Sequence, residues 1–171
     1  MNSHELEDQL ISELWARDVQ FLMEKALTNA PTLSPESQLK SLAQSNEAQV
    51  RLRLIPLLLR HPEFASKAET VDWELSNSDP QLFFRCYYTS AMLLQQIYNE
   101  PLSRYFGCQP KLPDMFSIKL GATLTQDPET SLLELANRHE ILSDHKVNWI
   151  GTYKHATDVW LRHLELQFSL S

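Results

Sequence analysis

The sequence contains few of the residues that mark tight β-turns or phosphate-binding loops. Only three of its 171 residues are glycine, and none of the three follows an asparagine or an aspartate. The chain therefore lacks the usual signal for two-residue hairpins and the glycine-rich patterns of nucleotide-binding loops. Nine prolines fall mostly between apolar stretches, where proline commonly begins or ends a helix.

Cysteine and long apolar runs are also scarce. Cys86 and Cys108 are the only cysteines, and their spacing is not that of a metal-ligand pair, so we expect two reduced thiols. The amino-terminal stretch MNSHELEDQL is acidic where a secretory signal would be basic and then apolar. The most apolar run, residues 54–59, is too short to span a bilayer. We therefore expect a cytoplasmic protein without a membrane segment.

The composition is that of an ordinary globular protein, with 43% hydrophobic and 22% charged residues. A chain of this length buries enough surface to fold without a disulfide or a metal. Helical spacing of apolar residues recurs along the chain and β-turn signals do not. The sequence predicts an all-α fold: one domain over residues 1–171, an irregular bundle of six or seven helices that needs no cofactor.

The net charge of −7 disfavours nucleic acid as a partner, because nonspecific binding to phosphates depends on lysine and arginine. The charge is unevenly distributed. Residues 1–30 carry six acids and two bases, whereas residues 138–165 carry four of each. The acidic amino end is either a solvated helix face or a surface that meets a less acidic one, in the same chain or in another.

In the first half of the chain, the pattern predicts an opening helix over residues 3–28. Ser34 as a cap and Pro35 at the first helical position mark the start of the next helix. A turn at residues 45–47 separates it from a leucine-rich helix that Pro56 should kink, because proline lacks the backbone N–H.

In the second half, a helix that begins near Asp79 is apolar on almost every side, which is typical of the centre of a domain. Residues 100–126 contain three prolines and two glycines and are expected to be an irregular crossing, held in place by aromatic residues. Asp127 should cap a helix over residues 129–142.

The last helix is expected to start at Ser143 or Asp144 and to run to about Phe168. Its Gly151 costs about 1 kcal/mol relative to alanine, and glycine inside a helix often marks a close approach of another backbone. The neighbouring Trp149 and other aromatic residues make a tight helix crossing the expected reason.

Four of the six histidines lie near the carboxyl end, at positions 139, 145, 155 and 163. A zinc site on one helix places two histidines four residues apart, whereas His155 and His163 are eight apart and cannot share an ion unaided. His155 and Asp158 could share an ion only with a third ligand from another element. The sequence therefore predicts no metal site, with that arrangement as the alternative.

The stretch RHEILSDH offers an enzymatic alternative. Arg138 and His145 are separated by six residues, with the polar His139 directly after the arginine. This spacing is similar to the arginine–histidine motif of HEPN domains, small helical bundles of which many are metal-independent ribonucleases. The resemblance implies that His145 moves the proton of a ribose hydroxyl while Arg138 holds the phosphate. It implies a ribonuclease or a nucleotide-related enzyme.

The leading hypothesis is a noncatalytic protein–protein interaction module, such as an adaptor, a regulator or an assembly partner. No strong catalytic set occurs, whereas aromatic and leucine-rich helical faces are abundant. Trp149, Tyr153 and Trp160, or the helix at residues 54–59, are the expected docking residues, provided that they are exposed. The expected partner is another protein or a second copy of the chain.

Overall fold

The computed structural model describes residues 3–20 and 31–169. These residues form ten α-helices, one 3-10 helix and no strand, which confirms the predicted all-α class. Six of the α-helices have eight residues or more, so the helices beyond the expected six or seven are short ones. In chain order the α-helices are α1 Ser3–Ala16, α2 Pro35–Gln44, α3 Ala48–Arg51, α4 Leu54–Arg60, α5 Ala68–Glu74, α6 Asp79–Ile97, α7 Asn99–Phe106, α8 Ser117–Leu120, α9 Pro128–Ser143 and α10 Trp149–Ser169, and the 3-10 helix Pro62–Lys67 precedes α5.

Helix α1 ends earlier than the sequence predicts. The backbone turns at Asp18, which has a φ of 65°, and the N–H of Val19 reaches back to the Leu14 carbonyl at 2.8 Å. This turn buries Val19 completely, and that burial favours ending the helix over continuing it. The predicted helix over residues 3–28 is therefore confirmed over residues 3–16 and wrong at residues 17–20, and residues 21–28 lie outside the described residues.

The predicted start of α2 is confirmed. The Ser34 hydroxyl accepts the Ser37 backbone N–H at 3.2 Å, and Pro35 is the first helical residue. A kink was expected from Pro56, and the structure has a complete break between α3 and α4 instead. The break lies at Leu52, four residues before Pro56, and at Arg53. Proline cannot donate to the Leu52 carbonyl and its ring crowds it, which accounts for the position of the break.

Helix α6 is the central helix of the fold, as predicted. It contacts α2, α4, α5, α7, α8, α9 and α10. Its preceding cap position is Ser78 rather than Asp79, which is the first helical residue. From Phe84 to Leu94 every residue is buried except Arg85, which is half-buried. Arg85 is thus the only residue of this stretch of α6 that is appreciably exposed to the solvent.

The segment after α6 is more helical than expected, because α7 and α8 occupy part of it. Its irregular part is pinned by an aromatic residue, as predicted. The ring of Phe116 packs edge-on against Tyr88 and Phe84, with centroid distances of 5.2 and 5.9 Å. The Tyr88 hydroxyl also donates to the Pro113 carbonyl at 2.8 Å.

The predicted start is confirmed for α9 and is wrong for α10. The Asp127 carboxylate accepts the Thr130 N–H at 3.2 Å, so the predicted cap of α9 is confirmed. Helix α10 starts at Trp149, not at residue 143 or 144, because Asp144 is left-handed, with a φ of 57°, and separates α9 from an extended connection. None of the described helices combines the length and the apolar character needed to cross a membrane.

The predicted tight helix crossing at Gly151 is wrong. The Asn148 side chain accepts the Gly151 N–H at 3.0 Å and so caps α10. A Cβ added at Gly151 would lie 2.6 Å from the Asn148 Nδ2 atom. The close approach that favours glycine therefore comes from the capping side chain, and not from a neighbouring backbone.

Candidate functional site

The residues predicted to form a docking surface lie largely in the core. Tyr153 and Trp160 are both 0% exposed, and residues 54–59 of α4 are buried as well. Trp149 is partly buried and stacks on His139. Since docking requires accessible side chains, Tyr153, Trp160 and the α4 run cannot supply it in this fold. Their contribution is to stability.

His139 is fully buried, and its environment is unusual for an imidazole. Its Nδ1 shares a hydrogen bond with the Tyr153 hydroxyl, while its Nε2 has no hydrogen-bond partner among the described residues. Burial lowers the pKa of His139 from 6.5 to about 3. The ring is therefore neutral near pH 7 and is not a proton carrier at that pH.

The two residues of the ribonuclease alternative lie in different settings. The Arg138 Nε donates to the Leu120 carbonyl at 2.8 Å, which ties α9 to the end of α8. His145 is exposed in the connection after α9, with its backbone N–H donating to the Ser143 hydroxyl at 3.3 Å. Within the described part of the chain, the side chains of Arg138 and His145 share no hydrogen bond. Their joint catalytic role stays a prediction.

His155 and Asp158, the residues of the metal alternative, also have different surroundings. Asp158 accepts a hydrogen bond from the Tyr98 hydroxyl at 2.8 Å, and His155 is exposed. In residues 3–20 and 31–169, no group of three or more His, Cys, Asp or Glu side chains is placed to hold a metal ion.

Sequence reasoning missed the most exposed aromatic residue of the described chain, Trp73. It is 80% exposed on α5, whose buried face includes Ala68 and Val71. Ile118 on α8 is 91% exposed. Leaving a tryptophan of this size in water forgoes the favourable burial of an area of about 150–250 Å². Val71 in α5 and Leu75 directly after it are four residues apart, and this spacing was the available signal that Trp73 points away from the core.

A partly buried ion network joins Asp72 of α5, Arg85 of α6 and Lys119 of α8. The Arg85 guanidinium donates to both carboxylate oxygens of Asp72, through Nε at 2.6 Å and Nη2 at 3.0 Å. Lys119 approaches the Asp72 Oδ2 at 3.4 Å. The exposed fraction of the side chain rises from 5% at Asp72 to 21% at Arg85 and 51% at Lys119. The anion is thus at the bottom of the network and the cations are nearer the solvent.

These residues enclose an open groove of about 620 Å³ between α5, α6 and α8. Gln81 adds to its structure by donating its amide N–H to the Asp72 backbone carbonyl at 3.0 Å. We call the groove and its rim the Trp73 surface. It consists of Asp72, Trp73, Ser76, Asn77, Gln81, Arg85 and Lys119, with Ile118 adjoining Lys119 on α8.

A second pocket, of about 320 Å³, lies beside α6 and α7 and includes the exposed Cys108. Its lining is rich in amides, and the best placed of these is already used. The Gln95 side chain donates to the Pro110 carbonyl and accepts the Leu112 N–H, both at 2.9 Å. The role of Gln95 in this pocket is therefore to hold the connection after α7 in place.

No family model, curated protein or solved structure matches the chain. Function is consequently inferred from the geometry of the Trp73 surface, where an exposed aromatic side chain adjoins a fixed arginine.

Proposed function

We propose that the chain is a noncatalytic protein-interaction module that binds a partner protein through the Trp73 surface. The observation that carries the proposal is an indole 80% exposed beside an arginine held in place by a buried carboxylate. Tryptophan and arginine are the residue types most enriched among those that dominate binding energy at interfaces. An adaptor, a regulator or an assembly partner would each use such a surface.

The geometry supports binding rather than folding as the role of Trp73. Val71 of α5 and Leu75 directly after it are buried, whereas the indole is 80% exposed and so adds little to the core. An exposed aromatic ring loses few rotatable bonds when a partner covers it, which limits the entropic cost of association. The bidentate contact to Asp72 likewise fixes the Arg85 side chain before any partner arrives.

A random peptide library displayed on phage tests the proposal. The wild-type protein serves as bait, and Trp73→Ala is used to remove peptides that bind elsewhere. We expect enriched peptides whose affinity falls about 30-fold or more for Trp73→Ala, the effect of losing a dominant interface residue worth about 2 kcal/mol. Leu133→Ala, at an α9 side chain that is 59% exposed, is the matched control and should leave the affinity unchanged.

Two results would contradict the proposal. One is a set of enriched peptides that bind Trp73→Ala as tightly as the wild type. The other is the absence of any peptide whose enrichment depends on Trp73. Light scattering identifies the case in which the partner is a second copy: the wild type would then be an oligomer whose mass falls in Trp73→Ala, and docking through Trp73 would be supported.

A further inference from the structure

We propose that the occupant of the Trp73 surface is an acidic peptide segment of a partner protein. A carboxylate of the segment would bind Lys119 and Arg85, and an apolar side chain next to it would pack on Trp73. The inference rests on the proposed function and adds the chemistry of the partner.

The groove is locally positive on an acidic protein. Its lining contains two cations, Arg85 and Lys119, and one anion, Asp72, whereas the whole chain has a net charge of −7. The acidic residue directly after Trp73 has its own cation. Glu74 pairs with Lys40 at 3.5 Å on the other side of α5. An acidic ligand therefore meets attraction here and repulsion over much of the remaining surface.

The ion network has donors to spare. Arg85 has five N–H groups and directs two nitrogens at the oxygens of Asp72, which leaves further N–H groups at the groove. The ammonium group of Lys119 is half-exposed and makes one long contact to Asp72. Asp72 acts as a positioning residue, because it fixes the cations while a second carboxylate completes their hydrogen bonds.

The exposed apolar side chains at the rim of the groove indicate that the ligand also carries an apolar side chain. Trp73 and Ile118 are 80% and 91% exposed, on two different helices that border the groove. The groove of about 620 Å³ is open to solvent along this rim. A leucine or an aromatic side chain beside the carboxylate would cover the indole and remove it from water.

Nucleic acid fits the groove less well than an acidic peptide. A base could stack on Trp73, but binding to a phosphate backbone depends on several cations. The groove offers two, and Asp72 already neutralises one of them. The carboxylate of a peptide needs only the donors that Arg85 and Lys119 still have.

The composition of the Trp73-dependent peptides from the phage library tests this inference. We expect them to be enriched in aspartate or glutamate next to an apolar residue. The most enriched peptide, synthesised with a fluorescein label, should bind about two- to fivefold more weakly to Lys119→Gln. It should bind at least about tenfold more weakly to Lys119→Glu, in which like charges face each other. Lys146→Gln, at an exposed lysine after α9, should bind it as the wild type does.

The results separate the two proposals. Neutral or basic peptides that still require Trp73 would overturn the inference and leave the proposed function intact, as would equal affinity for wild type and Lys119→Glu. An oligomer that dissociates in Trp73→Ala, or displacement of the peptide by a deoxythymidine oligonucleotide, would also overturn it. A thermal melt by circular dichroism establishes that Lys119→Glu is folded, and Lys119→Gln carries the test if it is not.

Discussion

The imidazole of His139 lies directly on the indole of Trp149, with ring centroids 3.5 Å apart and planes inclined by 13°. His139 is on α9 and Trp149 is the first residue of α10. The stacked pair joins the two helices across the connection that separates them. The imidazole is also fully buried, and its Nε2 has no hydrogen-bond partner among the described residues, so protonation would place an uncompensated charge in the core.

Acid should therefore destabilise the fold through His139. Its pKa is about 3 in the folded chain and about 6.5 when unfolded, so the unfolded chain binds more protons between these values. The stabilising effect is complete above pH 6.5 and is lost as the pH falls toward 3. Between pH 6.5 and pH 5 the loss should be about 2 kcal/mol, measured by urea unfolding at a series of pH values.

His139→Phe should remove most of this pH dependence whatever its own stability at pH 8. A smaller slope should remain, because burial also lowers the pKa of the half-buried His163. His155→Ala, at an exposed position of α10, should keep the slope of the wild type. An unchanged slope in His139→Phe would show that His139 is not the responsible group.

Asp72→Asn should lower the free energy of unfolding by about 2 kcal/mol. The amide has no charge and leaves the partly buried Arg85 without its compensating carboxylate. Glu129→Gln is the matched control, since it breaks the exposed pair with Lys154 at 2.9 Å and should cost less than about 1 kcal/mol. Equal losses in urea unfolding would mean that the Asp72–Arg85 pair contributes no more than a surface pair.

Gly151→Ala should have different effects on the free energy of unfolding in two backgrounds. With Asn148 present, the new Cβ would displace the capping side chain, so the gain of about 1 kcal/mol in helix propensity is cancelled or reversed. In the Asn148→Ala background the cap is already lost, and Gly151→Ala should stabilise by about 1 kcal/mol. A double-mutant cycle in urea measures the coupling, and simple additivity would refute the steric conflict.

Arg138 should act on stability rather than on RNA. Arg138→Met removes the donor to the Leu120 carbonyl and should cost about 1 kcal/mol in urea unfolding. His145→Ala, at an exposed side chain, should change stability by less than about 0.5 kcal/mol. With a labelled single-stranded RNA, we expect no cleavage by the wild type. Cleavage that both variants abolish would instead establish the HEPN-like alternative.

Local signals in the sequence predicted local structure well. Ser34 with Pro35 and Asp127 with Pro128 mark helix starts, because a cap acts on N–H groups two or three residues away. The end of α1 could not be read in the same way. It depends on the burial of Val19 and on contacts with the chain that returns at residues 32 and 33, whose backbone N–H groups donate to a carboxylate of α1.

The docking residues were mispredicted for a related reason. Residue type and helical spacing show that Tyr153 and Trp160 share an apolar face, but not that this face is covered by the rest of the fold. Both turned out to be fully buried. For Trp73, helical spacing indicates the side of α5 on which the indole lies, but whether another helix covers that side depends on how α5 packs against α2 and α6.

Arg85 lies between Phe84 and Cys86, both fully buried, and so anchors the groove to the central helix α6. The floor of the Trp73 surface is consequently preorganised, and a partner would bind without ordering a loop or a terminus. The same anchoring would make the proposed recognition sensitive to substitutions in the core. A substitution that leaves a cavity in the core beneath α6 would shift the Arg85 guanidinium. Such a substitution would weaken binding although the substituted residue does not contact the partner.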